Sequence, residues 1–166
     1  MMNSFFKPKP GRIPSSQVRM SIFVYGIACC IMYIGFLLLM KAFHLMEVTQ
    51  LRAVNYVILF FACMHQIKRL INKNGTYVPF LQVFGASFFT GIWSFVLFTI
   101  FLHIYSGYDT QLAELFIKHA APYSENIPAV VIAFEGSAVS IIVAFINMQY
   151  FRRYEEGEAS PVKKSN

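Results

Sequence analysis

The sequence predicts an all-α integral membrane protein: a bundle of four transmembrane helices with a short amphipathic helix between the third and fourth. Three observations lead there. Hydrophobic residues fill 57% of the 166 positions, 18 of them phenylalanine, and the mean hydropathy is +0.53. Charged residues make up 13%, about half the usual globular share of ~25%. The basic residues behind the net charge of +6 cluster at the edges of apolar runs. That distribution speaks for membrane topology and against nucleic acid as a partner.

A helical span needs about 20 mostly apolar residues. The first expected span covers residues 20–40, an uncharged run flanked by Arg19 and Lys41. It is too long for a signal-peptide core and no small-residue cleavage pattern follows, so it is read as retained. The second is harder to place, because only 15 residues separate Arg52 from Lys68. A full-length span over 48–67 draws Arg52 inside. The third is expected over 78–105, with Pro79 in its first turn, where a missing N–H costs nothing. The fourth, over 128–151, begins at Pro128 by the same logic. Residues 1–19 form a basic, proline-rich arm and 152–166 a polar tail. Both are expected to be disordered.

Four spans put both termini on one side. The arm (Lys7, Lys9, Arg12, Arg19), the loop between spans two and three (Lys68, Arg69, Lys73) and the tail (Arg152, Arg153, Lys163, Lys164) hold eleven of the 14 Lys and Arg. Lys41, Arg52 and Lys118 remain for the opposite side. The positive-inside rule therefore places both termini in the cytoplasm.

The linker 106–127 contains "GYDTQLAELFIKHAAP". Asp109 suits an N-cap and Pro122 a stop. Gln111, Glu114 and Lys118 recur on one helical face, and Leu112, Leu115 and Phe116 form another. A short amphipathic helix from about Asp109 to Ala121 is expected, lying on the membrane surface or capping the bundle.

Helices associate in lipid through small residues and interhelical hydrogen bonds. Such faces recur in every span. Gly26, Cys29, Cys30 and Tyr33 fall together in the first. Ser87, Thr90, Gly91 and Ser94 do so in the third, and Ala129, Ala133, Ser137, Ser140 and Ala144 in the fourth. In the second, Arg52, Asn55, Tyr56, Leu59, Cys63 and Gln66 share a narrow arc. A polar stripe of this kind should face protein or water. His65 lies on the other side of that helix, as an interface residue.

The fourth span carries one acidic residue, Glu135. Alone in hydrocarbon, its carboxylate is costly. Glu135 lies 17 residues before Arg152, and Arg52 lies 16 before Lys68. At ~1.5 Å per residue both groups sit roughly 24–26 Å above the inner interface. An intramembrane charge pair between Arg52 and Glu135 is expected, with Asn55 and Tyr56 as the supporting polar face.

Nothing in the sequence points to an enzyme. There is no Gly-rich phosphate loop and no G-x-S-x-G. His44, His65, His103 and His119 are scattered, and Cys29, Cys30 and Cys63 lie inside apolar runs without a C-x-x-C. No catalytic, cofactor-binding or metal-binding residue is assigned, and no cofactor is expected.

Three stretches carry a family resemblance: "VYGIACCIMYIGFLL" in the first span, "QIKRLINKNGTYVPFLQVFGASFFTGI" through the basic turn into the third, and "VIAFEGSAVSIIVAFINMQYFRR" in the fourth. Over roughly Met20 to Arg153 the chain resembles the bacterial membrane family called domain of unknown function 4199. The resemblance implies four spans in a bacterial inner membrane and no assigned activity. The expected function is a non-catalytic subunit, scaffold or regulator, partnered by the lipid bilayer and by itself or another membrane protein. The alternative is a small proton- or cation-coupled transporter using Glu135 and Arg52.

Overall fold

The computed structural model describes residues 14–45, 51, 53–74, 79–109 and 127–159. These fold into four helices: α1 (Ser15–Ala42), α2 (Ala53–Asn74), α3 (Phe80–Ser106) and α4 (Ile127–Ala159). Among the described residues there is no strand. α1, α3 and the Phe134–Phe151 part of α4 are each long and apolar enough to cross a membrane.

Proline marks two of the starts. Pro14 caps α1, and its carbonyl accepts the N–H groups of Gln17 (3.0 Å) and Val18 (3.3 Å). Pro79 caps α3 in the same way, accepting from Gln82 (2.8 Å) and Val83 (3.2 Å). Pro79 thus stands one residue outside the helix it was expected to begin, and Pro128 lies within the first turn of α4. At the far end of α1 the chain closes a Schellman turn. Leu45 N–H bonds to Met40 O (2.9 Å) and His44 N–H to Lys41 O (3.1 Å), with His44 left-handed at φ 56°.

The helices outrun the expected spans at both termini. α1 begins at Ser15, so residues 15–19 are helical and not part of a disordered arm. α4 continues to Ala159, which removes 152–159 from the expected disordered tail. Span lengths follow apolarity, whereas backbone hydrogen bonding continues through polar helix formers such as Arg and Glu until a breaker arrives. At the start of α1 the breaker is Pro14. α2 likewise outruns the expected 48–67 at its far end, continuing past Lys68 to Asn74.

α3 is the hub. It packs against α4, α1 and α2, whereas α1 and α4 make no contact with each other among the described residues. The contacts fix the directions. Tyr33 meets Phe95 and Phe98, and Lys41 meets Tyr105, so α1 and α3 run parallel. Phe84 meets Phe145 while an added Cβ at Gly136 would strike Phe95, so α3 and α4 run antiparallel.

Two apolar clusters fill the interior. One gathers Tyr33, Leu59, Phe95, Phe98 and Val143. The other, nearer the chain's ends, gathers Ile67, Leu70, Val83, Met148 and Phe151. Outward-facing Ile31, Leu39, Phe61, Ile100 and Ile142 are exposed, as side chains meeting lipid tails would be.

Candidate functional site

The bundle holds three sets of polar groups. The expected small-residue faces position the first. Gly26, Cys29, Cys30 and Tyr33 of α1 are all buried, as are Ser87, Thr90, Gly91 and Ser94 of α3. Ser140 and Ala144 of α4 are fully buried too. A Cβ added at Gly91 of α3 would strike Ser140 of α4, and Leu59 of α2 also faces Gly91. Ser140 keeps its hydroxyl satisfied by donating to Gly136 O (2.6 Å), and Ser94 does the same to Gly91 O (2.8 Å).

Gln66 and Asn147 each lie seven residues beyond Leu59 and Ser140, so they share a level between the two apolar clusters. Both are fully buried. Thr90 donates its hydroxyl to Gln66 Oε1 (3.0 Å), and Cys63 Sγ points to Ser87 O (3.7 Å). Four atoms of this layer have no hydrogen-bond partner among the described residues: Gln66 Nε2, Ser87 Oγ, and both Oδ1 and Nδ2 of Asn147. A buried amide left unmatched costs about 1–3 kcal/mol. The sequence reading had placed Gln66, Ser87 and Thr90 on inward faces. It missed Asn147, although Asn147 continues the Ser140, Ala144 spacing by three residues.

The second set surrounds Glu135. Tyr56 donates its hydroxyl to Glu135 Oε1. Tyr56 is half-buried, whereas Glu135 is exposed on the side of the bundle. Asn55 is half-buried with Oδ1 unpartnered among the described residues. Of the two residues expected to support the pair, Tyr56 is thus the one in contact with Glu135 among the described residues. Arg52 lies outside the described residues, and with it the expected Arg52–Glu135 pair.

The third set was not foreseen. Lys41 at the end of α1 forms an ion pair with Asp109, which is 8% exposed just beyond α3. The Lys41 ammonium also donates to Tyr105 OH (3.3 Å) and sits 5.5 Å from that ring's centre. Asp109 was read as a helix cap. The expected linker helix beyond it, over 110–121, lies outside the described residues. Because the pair ties parallel helices α1 and α3 at one end, Lys41→Asp or Asp109→Lys alone should lower the apparent melting temperature in detergent by a few degrees. The double exchange should restore most of the loss.

Among the described residues no group of three His, Cys, Asp or Glu is placed to hold a metal. The three cysteines are buried and free. His65 is exposed, with its ring 6.0 Å from that of Tyr25. The arrangement offers hydrogen-bonding groups inside an apolar bundle and one carboxylate on its flank. No family model, curated protein or solved structure matches this chain.

Proposed function

We propose that this chain is a multi-pass inner-membrane protein without catalytic activity, acting as a subunit, scaffold or regulator through association with itself or with another membrane protein. The observation that carries the proposal is the placement of Glu135. Its carboxylate is exposed within the apolar stretch Phe134–Phe151, where it accepts a hydrogen bond from the Tyr56 hydroxyl. An ionisable group on a lipid-facing flank calls for protein or water, and neighbouring helices supply either.

In this reading α2 is the fourth span. Its 22 residues measure roughly 33 Å, enough for a hydrocarbon core of ~30 Å. Its polar stripe turns inward, which supports a helix less apolar than its neighbours within a bundle. The eleven basic residues at one end support cytoplasmic termini. Arg52, four residues before Tyr56, is proposed as the cation that Glu135 meets, and the amphipathic helix over Asp109–Ala121 as the outer cap. The resemblance to domain of unknown function 4199 supports the same membrane and assigns no activity.

Ala138 is exposed one turn after Glu135, so a cysteine there tests the proposal. In a variant lacking the three native cysteines, Ala138→Cys should cross-link in native membranes to a second copy or to one discrete neighbour. Glu135→Ala should abolish that product. A protein that stays monomeric, with no neighbour captured, would refute the association.

A second reading, a small proton- or cation-coupled transporter, is favoured by the unpartnered atoms of Gln66 and Asn147 midway through the bundle. It requires ion flux in proteoliposomes that Glu135→Gln removes.

A further inference from the structure

A cavity of about 330 Å³ opens between the first turns of α1 and the last turns of α2, at the end of the bundle where the basic residues gather. Arg69 and Lys73 line it from α2, one helical turn apart, and Ser16, Gln17 and Ser21 line it from α1. Among the described residues no acidic side chain contributes to its wall. Two cations at this spacing repel each other unless an anion lies between them. The first turn of α1 adds its helix dipole, positive at this end. Gln17 lines the cavity, and its Oε1, buried and without a hydrogen-bond partner among the described residues, becomes an acceptor for a ligand hydroxyl once the amide turns outward.

We propose that this cavity binds the headgroup of an anionic phospholipid bearing hydroxyl groups, such as phosphatidylglycerol. The phosphodiester sits between Arg69 and Lys73, and a headgroup hydroxyl donates to Gln17. The apolar part of the same wall distinguishes a lipid from a free phosphate. Met20 and Val24 line the cavity, and with Ile27 and Ile31 they form an exposed apolar stripe running up α1, one turn above another. An acyl chain attached to a phosphate in the cavity lies along that stripe. Cytoplasmic leaflets supply anionic lipid at this depth, and basic pockets between membrane helices recognise such headgroups. The assignment rests on α1 as a span and is independent of any association through Glu135.

Native mass spectrometry of the full chain in detergent tests it, with phosphatidylglycerol, phosphatidylcholine and inorganic phosphate each titrated separately. Phosphatidylglycerol should bind at least tenfold more tightly than phosphatidylcholine, and Arg69→Gln with Lys73→Gln should remove that preference. Arg69→Lys should retain it. So should Arg19→Gln, which removes a charge that is exposed at the same end but does not line the cavity. Circular dichroism checks that each variant is folded. Equal binding of the two lipids, an unchanged preference in the double variant, or displacement of the lipid by millimolar phosphate would overturn the proposal, the last by marking a free-anion site.

Discussion

Gly91→Leu yields no folded bundle, and Gly91→Ala costs about 1–3 kcal/mol, the usual penalty for overpacking a tight interior. The reason is the separation of α3 from α4. A Cβ at Gly91 would stand 2.6 Å from Ser140 Cβ and 3.3 Å from Leu59 Cδ2. Neither helix can yield cheaply, because Ser140 is held to Gly136 O and Gly136 itself faces the Phe95 ring. A leucine there separates the helices that share the largest interface and exposes the Gln66, Asn147 layer to lipid. Gly85 on the same helix supplies the control, since nothing lies within 4 Å of its would-be Cβ. Gly85→Ala should be neutral or stabilising by up to about 1 kcal/mol, the helix-propensity gain over glycine. Thermal unfolding in detergent measures all three. Equal stability of the two alanine variants would contradict the packing account.

Tyr33→Ala should detach α1. Tyr33 is fully buried, with its ring 5.2 Å from Phe95 and 5.5 Å from Phe98. Truncating a buried aromatic costs about 3–5 kcal/mol in water-soluble cores. In lipid the lower end, about 3 kcal/mol, is expected, because transfer from water contributes less and lost packing more. The effect should be local. α1 rests on α2 and α3 and, among the described residues, does not touch α4. Cys29 and Cys30, buried beside Tyr33, should then react with maleimide many times faster, while Tyr33→Phe protects them as the parent does. Unchanged labelling in Tyr33→Ala would show that α1 is held elsewhere.

Much of this interior was legible in the sequence because lipid leaves helices few ways to associate. Small and polar side chains at helical spacing had to face inward, and Gly26, Cys29, Ser87, Thr90, Cys63 and Gln66 all do. Helix ends were read less well. Apolarity measures how much chain a bilayer accepts, while α1 and α3 stop where proline or a turn interrupts hydrogen bonding. The Lys41–Asp109 pair was invisible for another reason: its members are 68 residues apart, and no local pattern announces a partner. Asn147 was overlooked because a single amide following a run of small residues resembles ordinary helix sequence. Its significance appears only when Gln66 and Ser87 arrive at the same level from other helices.

The account depends most on α2 crossing the membrane, since that crossing sets four spans and brings both termini to one side. Phe43 and Lys73 are both exposed and lie beyond opposite ends of the buried part of the bundle. Single cysteines at these positions, in a chain lacking the native three, can be labelled with a membrane-impermeant maleimide on right-side-out spheroplasts. The account predicts that position 43 reacts at once and position 73 only after the membrane is permeabilised. Labelling of both positions from the same side would contradict it.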